Sequence, residues 1–193
     1  MKKSYLDPNE LLIIDNFLSE SHVNTIEKLM TNNEIGFYFN SQISYETNQE
    51  KNFGFYSILC QNDYTIKHHY IFEPIIYDVF NKNNINIQHI FFGRSFITTN
   101  AEQEYDIAHI DAGHYHNVFL YYVNDTDGDT VFFDKMHDEQ LKNINYFSYD
   151  ESLVWKRVTP KKGRILIFNG FRFHCSQRPA AGKYRISVNY NVI

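Results

Sequence analysis

Three residues of this 193-residue chain have the types and the spacing that a mononuclear metal site needs. His109 and Asp111 are separated by one residue, and His174 follows far downstream. Side chains two positions apart project from the same face of a β-strand, so His109 and Asp111 can reach one point. Two neutral imidazoles and one carboxylate hold Fe(II) on one face of an octahedron and leave three positions open. These three residues, here called the triad, therefore predict an iron site that can activate O2.

The last segment of the chain can supply a cation to the same site. Residues 184–190 alternate in polarity, so that Arg185, Ser187 and Asn189 share one face of a predicted strand. If that face lines the interior of a barrel, the Arg185 guanidinium lies within reach of the metal. It can then bind a carboxylate through two parallel hydrogen bonds. A dicarboxylic cosubstrate suits such an anchor.

Elements that can position these residues are visible in the hydrophobic pattern. Residues 11–18 indicate a short buried strand and a turn, after which Ser19 or Ser21 can cap a helix that runs to about residue 32. Helical spacing predicts a second helix over 69–82. The polar segment 40–52 is interpreted as a surface hairpin or a lid. Strands are predicted at 85–98, 117–123, 130–133, 164–168 and 185–192.

Short β-rich runs divided by turn signals are typical of a sandwich or a barrel. A chain of this length buries a full core but is too short for two ordinary domains, so we expect one domain over 1–193. Within it, residues 1–84 should form a supporting region and residues 85–193 the β-rich core.

Composition and charge narrow the range of partners and compartments. A net charge of −5 and a pI near 6.0 supply no broad basic surface, so a nucleic-acid partner is not expected. Cys60 and Cys175 are too few for a disulfide framework and are expected to be free thiols in a reducing compartment. No apolar run approaches membrane length. We therefore expect a soluble, cytoplasmic protein without a membrane partner.

The chain resembles the Fe(II)/2-oxoglutarate-dependent dioxygenases, in particular their prolyl 4-hydroxylase-like branch. The matching motifs follow the family's order over roughly residues 90–193. Residues 15–19 resemble the entry to the same domain, and 35–85 have no firm counterpart. Two departures are a Gly-Gly pattern reduced to the single Gly128 and Arg185 where collagen-type enzymes carry Lys. The matching segments are His109-x-Asp111, 119–124, 128–133, 160–168, His174 and Arg185-x-Ser187.

The resemblance implies a mainly β fold with flanking α-helices, in which N-terminal helices pack on a double-stranded β-helix, or jelly-roll, core. It implies that the triad binds Fe(II) and that Arg185, with Ser187, binds the distal carboxylate of 2-oxoglutarate. Tyr122 matches a position that donates its hydroxyl to the same carboxylate in some prolyl hydroxylases; simple core packing is the alternative for this residue. O2 is the second cosubstrate, and ascorbate is expected to support the reaction.

The implied reaction hydroxylates a C–H bond and releases succinate and CO2. The substrate is expected to be a peptide or protein side chain, above all proline, with a free amino acid or another small molecule as the alternative. Two rival interpretations remain open. A cupin-like metal site can be built from His109, His114 and His116. The same fold can also serve as a binding module without turnover.

Overall fold

The computed structural model describes residues 2–41, 53–62, 64–138 and 146–193. The interpretation of 40–52 as a hairpin or lid falls, from residue 42 onward, outside the described residues. The described strands are β1 (Leu11–Ile14), β2 (Tyr38–Asn40), β3 (Gly54–Gln61), β4 (Tyr64–Thr65), β5 (Ile90–Thr99), β6 (Ala108–His109), β7 (Asn117–Tyr122), β8 (Thr130–Met136), β9 (Tyr146–Phe147), β10 (Val154–Val158), β11 (Ile165–Asn169), β12 (Arg172–Ser176) and β13 (Tyr184–Val192).

Two helices form where the sequence pattern predicts them. Helix α1 spans Glu20–Thr31, and the side chain of its N-cap Ser19 accepts a hydrogen bond from the backbone N–H of His22. Helix α2 spans His69–Lys82, the predicted range, and a short 3-10 turn at Glu151–Leu153 precedes β10. In the described part of the chain, no helix is both long enough and apolar enough to cross a membrane.

The strands form two antiparallel sheets. The major sheet has the order β1-β11-β7-β13-β5-β3-β2, with β4 paired to β3, and the minor sheet has the order β10-β8-β12-β6-β9. Neighbouring strands come from distant parts of the sequence, and the two sheets enclose a polar cavity between them. The predicted jelly-roll core with flanking helices is confirmed. Strands β1 to β4 come from the expected supporting region and extend the major sheet.

One strand begins later than the sequence pattern predicts. The apolar run 85–98 predicts a strand from residue 85, but β5 begins at Ile90. The backbone N–H of Asn86 donates to the carbonyl of Lys3, while the N–H groups of Gln88 and His89 donate to the carbonyl of Ile193. Backbone N–H groups of this segment are therefore hydrogen-bonded to residues near the two chain termini. The segment does not join the continuous pairing of the major sheet.

The apolar core lies between the two helices and one face of the major sheet. Phe72, Ile76 and Val79 of α2 are completely buried against Val188 and Tyr190 of β13. Burial of this apolar face holds β13 in place and fixes which of its side chains point the other way. The arrangement thereby sets the geometry of the cavity on the opposite face.

A glycine permits the close packing of two adjacent strands in this core. Gly93 of β5 lies directly opposite Tyr190 of β13. A Cβ at position 93 would lie 2.1 Å from the Tyr190 ring. The aromatic ring therefore occupies the space that any other residue at position 93 would fill.

Candidate metal centre

The two histidines of the triad are cross-strand neighbours in the minor sheet. His109 at the end of β6 pairs directly with His174 of β12, and the centres of their rings are 4.8 Å apart. Asp111 follows β6 by two residues, with its Oδ1 3.8 Å from Nε2 of His109. The possible ligand atoms of all three residues lie within 4.8 Å of one another. The structure thus brings together the residues that the sequence singles out.

Both imidazoles are oriented by a local backbone hydrogen bond. Nδ1 of His109 lies 2.9 Å from the carbonyl oxygen of Ile107, and Nδ1 of His174 lies 3.1 Å from that of Arg172. A carbonyl oxygen can only accept, so each Nδ1 carries the proton and donates it. A neutral ring that donates from Nδ1 keeps its lone pair on Nε2 for a metal, which is the arrangement that metal-binding histidines usually have.

The carboxylate of the triad is held by the major sheet. Nη2 of Arg94 donates to Oδ1 of Asp111 at 3.0 Å, and Nδ2 of Asn189 donates to Oδ2 at 3.0 Å. Burial opposes ionisation of this side chain, but the Arg94 guanidinium holds the pKa of Asp111 well below its usual range. Asp111 is therefore ionised, and it connects the histidines of one sheet to the polar face of the other.

The protonation states suit a divalent metal. Burial lowers the pKa of His174 to about 4, so this imidazole is neutral near pH 7. Two neutral imidazole nitrogens and one ionised carboxylate are the donor set that a two-histidine, one-carboxylate Fe(II) site uses. The residues present therefore fit Fe(II) in chemical type, charge and proximity.

A second cluster of polar groups surrounds Arg185 at the other end of the cavity. Its Nη2 donates to Oγ1 of Thr130 at 2.8 Å, while its Nη1 donates to the carbonyl oxygens of Gly128 and Asp129 at 3.2 and 3.3 Å. These bonds fix the guanidinium on the turn before β8. The cavity that joins this cluster to the triad is lined by Arg94, Phe96, Thr98, Asp106, His109, Leu120, Thr130, His174, Ser176, Arg185, Ser187 and Asn189.

The other two expected cosubstrate residues occupy different positions relative to the cavity. Ser187 lies on its wall, one alternation along β13 from Arg185. Tyr122 is completely buried and is absent from the lining; its hydroxyl lies 2.6 Å from Oγ1 of Thr130. The Tyr122 ring also packs 5.3 Å from the Arg185 guanidinium. Tyr122 thus contacts the groups that position Arg185.

The rival histidine pair does not belong to the group of possible metal ligands that the triad forms. His116 is fully buried, with Nδ1 donating to the carbonyl oxygen of His114 at 2.7 Å and its ring packed against Gly170. His114 is exposed to solvent. Among the described residues, the group of possible metal ligands contains the triad and neither of these histidines. The cupin-like set is thus not assembled in this structure.

Several contacts of the polar residues in the cavity could not be read from the sequence pattern. Alternation along β13 placed Asn189 beside Arg185 but did not indicate its bond to Asp111. Thr130 follows the turn that binds Arg185. Asp106 lines the cavity and forms a buried ion pair with Arg178, whose Nε lies 2.7 Å from Oδ1. This pair joins segments 72 residues apart, so no local motif could reveal it.

Comparison with known proteins identifies the fold. No protein-family model matches the chain, and no curated protein sequence matches it. Among solved structures, it is similar to an oxidoreductase of the 2OG-Fe(II) oxygenase family from Burkholderia pseudomallei. The TM-score is 0.66 at 10% identity, over 100% of this chain and 95% of the other.

Two further solved structures share this architecture. One is a prolyl hydroxylase from Trichoplax adhaerens in complex with a peptide fragment of the hypoxia inducible factor oxygen degradation domain. It matches with a TM-score of 0.63 and 16% identity, over 96% of this chain and 84% of the other. The other is a non-heme alpha ketoglutarate dependent epimerase from nogalamycin biosynthesis. It matches with a TM-score of 0.62 and 11% identity, over 96% of this chain and 79% of the other. The chain therefore has the fold of the 2-oxoglutarate and Fe(II) oxygenases.

Proposed function

We propose that this protein is an Fe(II)- and 2-oxoglutarate-dependent dioxygenase that hydroxylates a C–H bond of its substrate. The reaction converts substrate, O2 and 2-oxoglutarate into hydroxylated substrate, succinate and CO2. One observation carries the proposal: His109 and His174, which form one group of possible metal ligands with Asp111, line the same cavity as Arg185. A metal site alone would suit many functions, whereas a guanidinium at a fixed position beside it suits a carboxylate-bearing cosubstrate.

Each residue of the cavity has a specific role in this proposal. The triad holds Fe(II), with Nε2 of each histidine and the carboxylate of Asp111 as ligands. Arg185, with Ser187, binds the distal carboxylate of 2-oxoglutarate, and Tyr122 supports that end through Thr130. When bound, iron and 2-oxoglutarate supply the oxidising chemistry that places one oxygen atom of O2 on the substrate.

The protein itself contributes orientation and exclusion of water. Arg185 is 3% exposed and its partners sit on a turn that β8 anchors, so its guanidinium needs little reorganisation to bind an anion. Asp111 is ionised before metal arrives and is oriented by two hydrogen bonds. Side chains that are already held in place bind a charged partner without the free-energy cost of first ordering those side chains.

For the substrate, we propose the prolyl side chain of a peptide. The support is the resemblance of the motifs around the triad to prolyl hydroxylases, together with the similarity to a prolyl hydroxylase solved with a peptide fragment. A second candidate, a small molecule, is favoured by the similarity to an epimerase from nogalamycin biosynthesis. Substrate choice resides in loops around such a site, and the fold alone does not set it.

The first experiment is an anaerobic titration of the purified protein with Fe(II) and 2-oxoglutarate. The proposal predicts a weak visible charge-transfer band that saturates with both components and is absent with either one alone. In air, a suitable substrate should then trigger the conversion of 2-oxoglutarate into succinate and CO2, and mass spectrometry should find a gain of one oxygen atom in the substrate.

Different outcomes of this experiment separate the rivals. A saturating band without succinate from any candidate favours a module that binds metal and ligand without turnover. Oxygen incorporation that needs no 2-oxoglutarate favours cupin-type chemistry. If a free small molecule gains oxygen and no proline-containing peptide does, the prolyl proposal is wrong while the oxygenase proposal stands.

A further inference from the structure

Arg94 lies on the cavity wall beside the triad, at the end away from Arg185. Its side chain is 25% exposed, whereas its partner Asp111 is 1% exposed. It belongs to β5, directly opposite Asn189 of β13, so it projects into the cavity from the major sheet. Apart from its bond to Asp111, this cation has no part in the proposed roles of iron and 2-oxoglutarate.

Aromatic side chains pack against the Arg94 guanidinium. Its central carbon lies 4.6 Å from the ring centre of Phe96 and 5.2 Å from that of Phe92, the residues two positions away on the same strand. Contact with aromatic rings favours a guanidinium at this position while its edges remain free to donate. The cation is therefore supported by Phe92 and Phe96 before any ligand binds.

Most of the donors of this guanidinium have no partner among the residues that the structure describes. Nη2 donates to Asp111, and Nε is buried without a hydrogen-bond partner. Nη1 makes no hydrogen bond to a described residue either. Arg185, in contrast, uses both of its terminal nitrogens within the protein. A buried donor without a partner, such as Nε of Arg94, costs free energy, which a suitable acceptor on a ligand recovers, whereas Nη1 can exchange water for such an acceptor.

The charge balance of the cavity points to an anion. Asp106 is paired with Arg178, so within the described part of the chain Arg94 and Arg185 face one remaining carboxylate, that of Asp111. Fe(II) and the dianion of 2-oxoglutarate carry equal and opposite charges, and both imidazoles are neutral when they bind metal. One positive charge remains uncompensated in a poorly solvated space. A carboxylate neutralises it, whereas a phosphate group would overcompensate.

We propose that Arg94 binds a carboxylate of the substrate, so that this site acts on carboxylic acids whose reacting carbon lies between Arg94 and the triad. The inference rests on the proposed function and deepens it. The carboxylate can belong to a free amino acid or to the C-terminus of a peptide, and the two sources share the same recognition chemistry.

The test compares acids with their primary carboxamides. Free amino acids, and dipeptides ending in the same residues, are titrated anaerobically into the Fe(II) and 2-oxoglutarate complex, and the change of the visible band gives each dissociation constant. The acid should bind at least about tenfold more tightly than its amide, since a hydrogen bond to a charged group has about that effect. Preference confined to the free amino acids, or to the dipeptides, identifies the source of the carboxylate.

Variants assign that preference to Arg94. In Arg94→Gln the ratio of acid to amide affinity should fall to about one, and any weakening of iron binding acts on both members of a pair and leaves the ratio unaffected. Arg157→Gln is the matched control, because Arg157 pairs with Glu151 on the protein surface. This control should keep the full preference.

Three results would overturn the proposal. These are that no acid of the panel binds better than its amide, that the preference of the parent protein survives in Arg94→Gln, or that it is lost equally in Arg157→Gln. In each case a saturating band with Fe(II) and 2-oxoglutarate shows that the proposed metal and cosubstrate site is intact, and succinate formation tests turnover separately. If the parent protein forms no such band, the proposed function fails instead.

Discussion

The two faces of β13 differ sharply in chemistry. One face lines the cavity with polar atoms from Arg185, Ser187 and Asn189. The other face packs on the helices and the apolar core through Ile186, Val188, Tyr190 and Val192. Because successive side chains of a strand alternate, a single strand serves both purposes without mixing them.

This division separates the free energy of folding from the chemistry of the site. The apolar face removes large side chains from water, which supplies most of the stability of such a fold. The polar face contains buried groups whose hydrogen bonds position other groups and add little net stability. Substitutions on the two faces should therefore affect different measurements, and each prediction below tests that separation.

The largest effect is expected for the triad. Replacing any of its three residues with alanine should abolish tight Fe(II) binding, measured by anaerobic calorimetry, because two protein ligands are too few to hold Fe(II) tightly. The denaturant midpoint of the metal-free protein should remain close to that of the parent. His114→Ala, at an exposed position, is the control and should keep iron. Parent-like iron affinity in a triad variant would remove that residue from the site.

The apolar face should show the reverse behaviour. Phe72 of α2 is completely buried, with its ring centre 6.0 Å from that of Tyr190. Phe72→Ala should lower the free energy of unfolding by about 3 to 5 kcal/mol, since it removes a large apolar side chain and leaves a cavity. Iron affinity of the protein that remains folded should be unchanged. A specific loss of iron at parent-like stability would mean that the two faces are coupled.

A third prediction concerns the cosubstrate end of the polar face. Arg185→Lys should weaken 2-oxoglutarate binding by about tenfold or more, because an ammonium cannot reproduce the planar fork that donates two parallel hydrogen bonds. The dissociation constant is measured from the visible band of the anaerobic Fe(II) complex. Arg164→Lys provides the control, because the side chain of Arg164 pairs with Asp15 and neither residue lines the cavity. Equal weakening in both variants would contradict the assignment of the anchor.

The smallest effect is expected for Ser187. Ser187→Ala removes one hydroxyl from the cavity wall, and the affinity for 2-oxoglutarate should decrease by about 1 kcal/mol, the contribution of one hydrogen bond. The same titration measures it, with unfolding by denaturant as the check on stability. A loss as large as that of Arg185→Lys would show that Ser187 has a role beyond one hydrogen bond.

Local sequence patterns predicted most of the elements and the types of residue at the site. Helix α2 has the predicted range, and α1 begins after the predicted cap Ser19. Helical and strand periodicities are local properties, so one sequence carries them directly. The spacing of His109 and Asp111, and the alternation of residues 185–189, were likewise local signals.

Contacts between distant segments could not be predicted in this way. Arg94 of the major sheet donates to Asp111, which follows β6 of the minor sheet. Asp106 in a loop pairs with Arg178, which follows β12. Such contacts depend on which strands become neighbours, a property of the topology. Tyr122 illustrates the same limit. Its position in the sequence matched a cosubstrate-binding position of the family, but only the packing showed that its hydroxyl lies within hydrogen-bond distance of Thr130.

The direct pairing of His109 with His174 has a consequence for the insertions and deletions that the gene could tolerate. One residue inserted between Gly170 and His174 would rotate His174 to the opposite face of β12 and remove it from the metal. Two inserted residues would restore the face but shift the imidazole by about 7 Å along the strand. Length changes should therefore be excluded from this short stretch, while the exposed turn at Gly182, where an added Cβ meets no neighbour, should accept them.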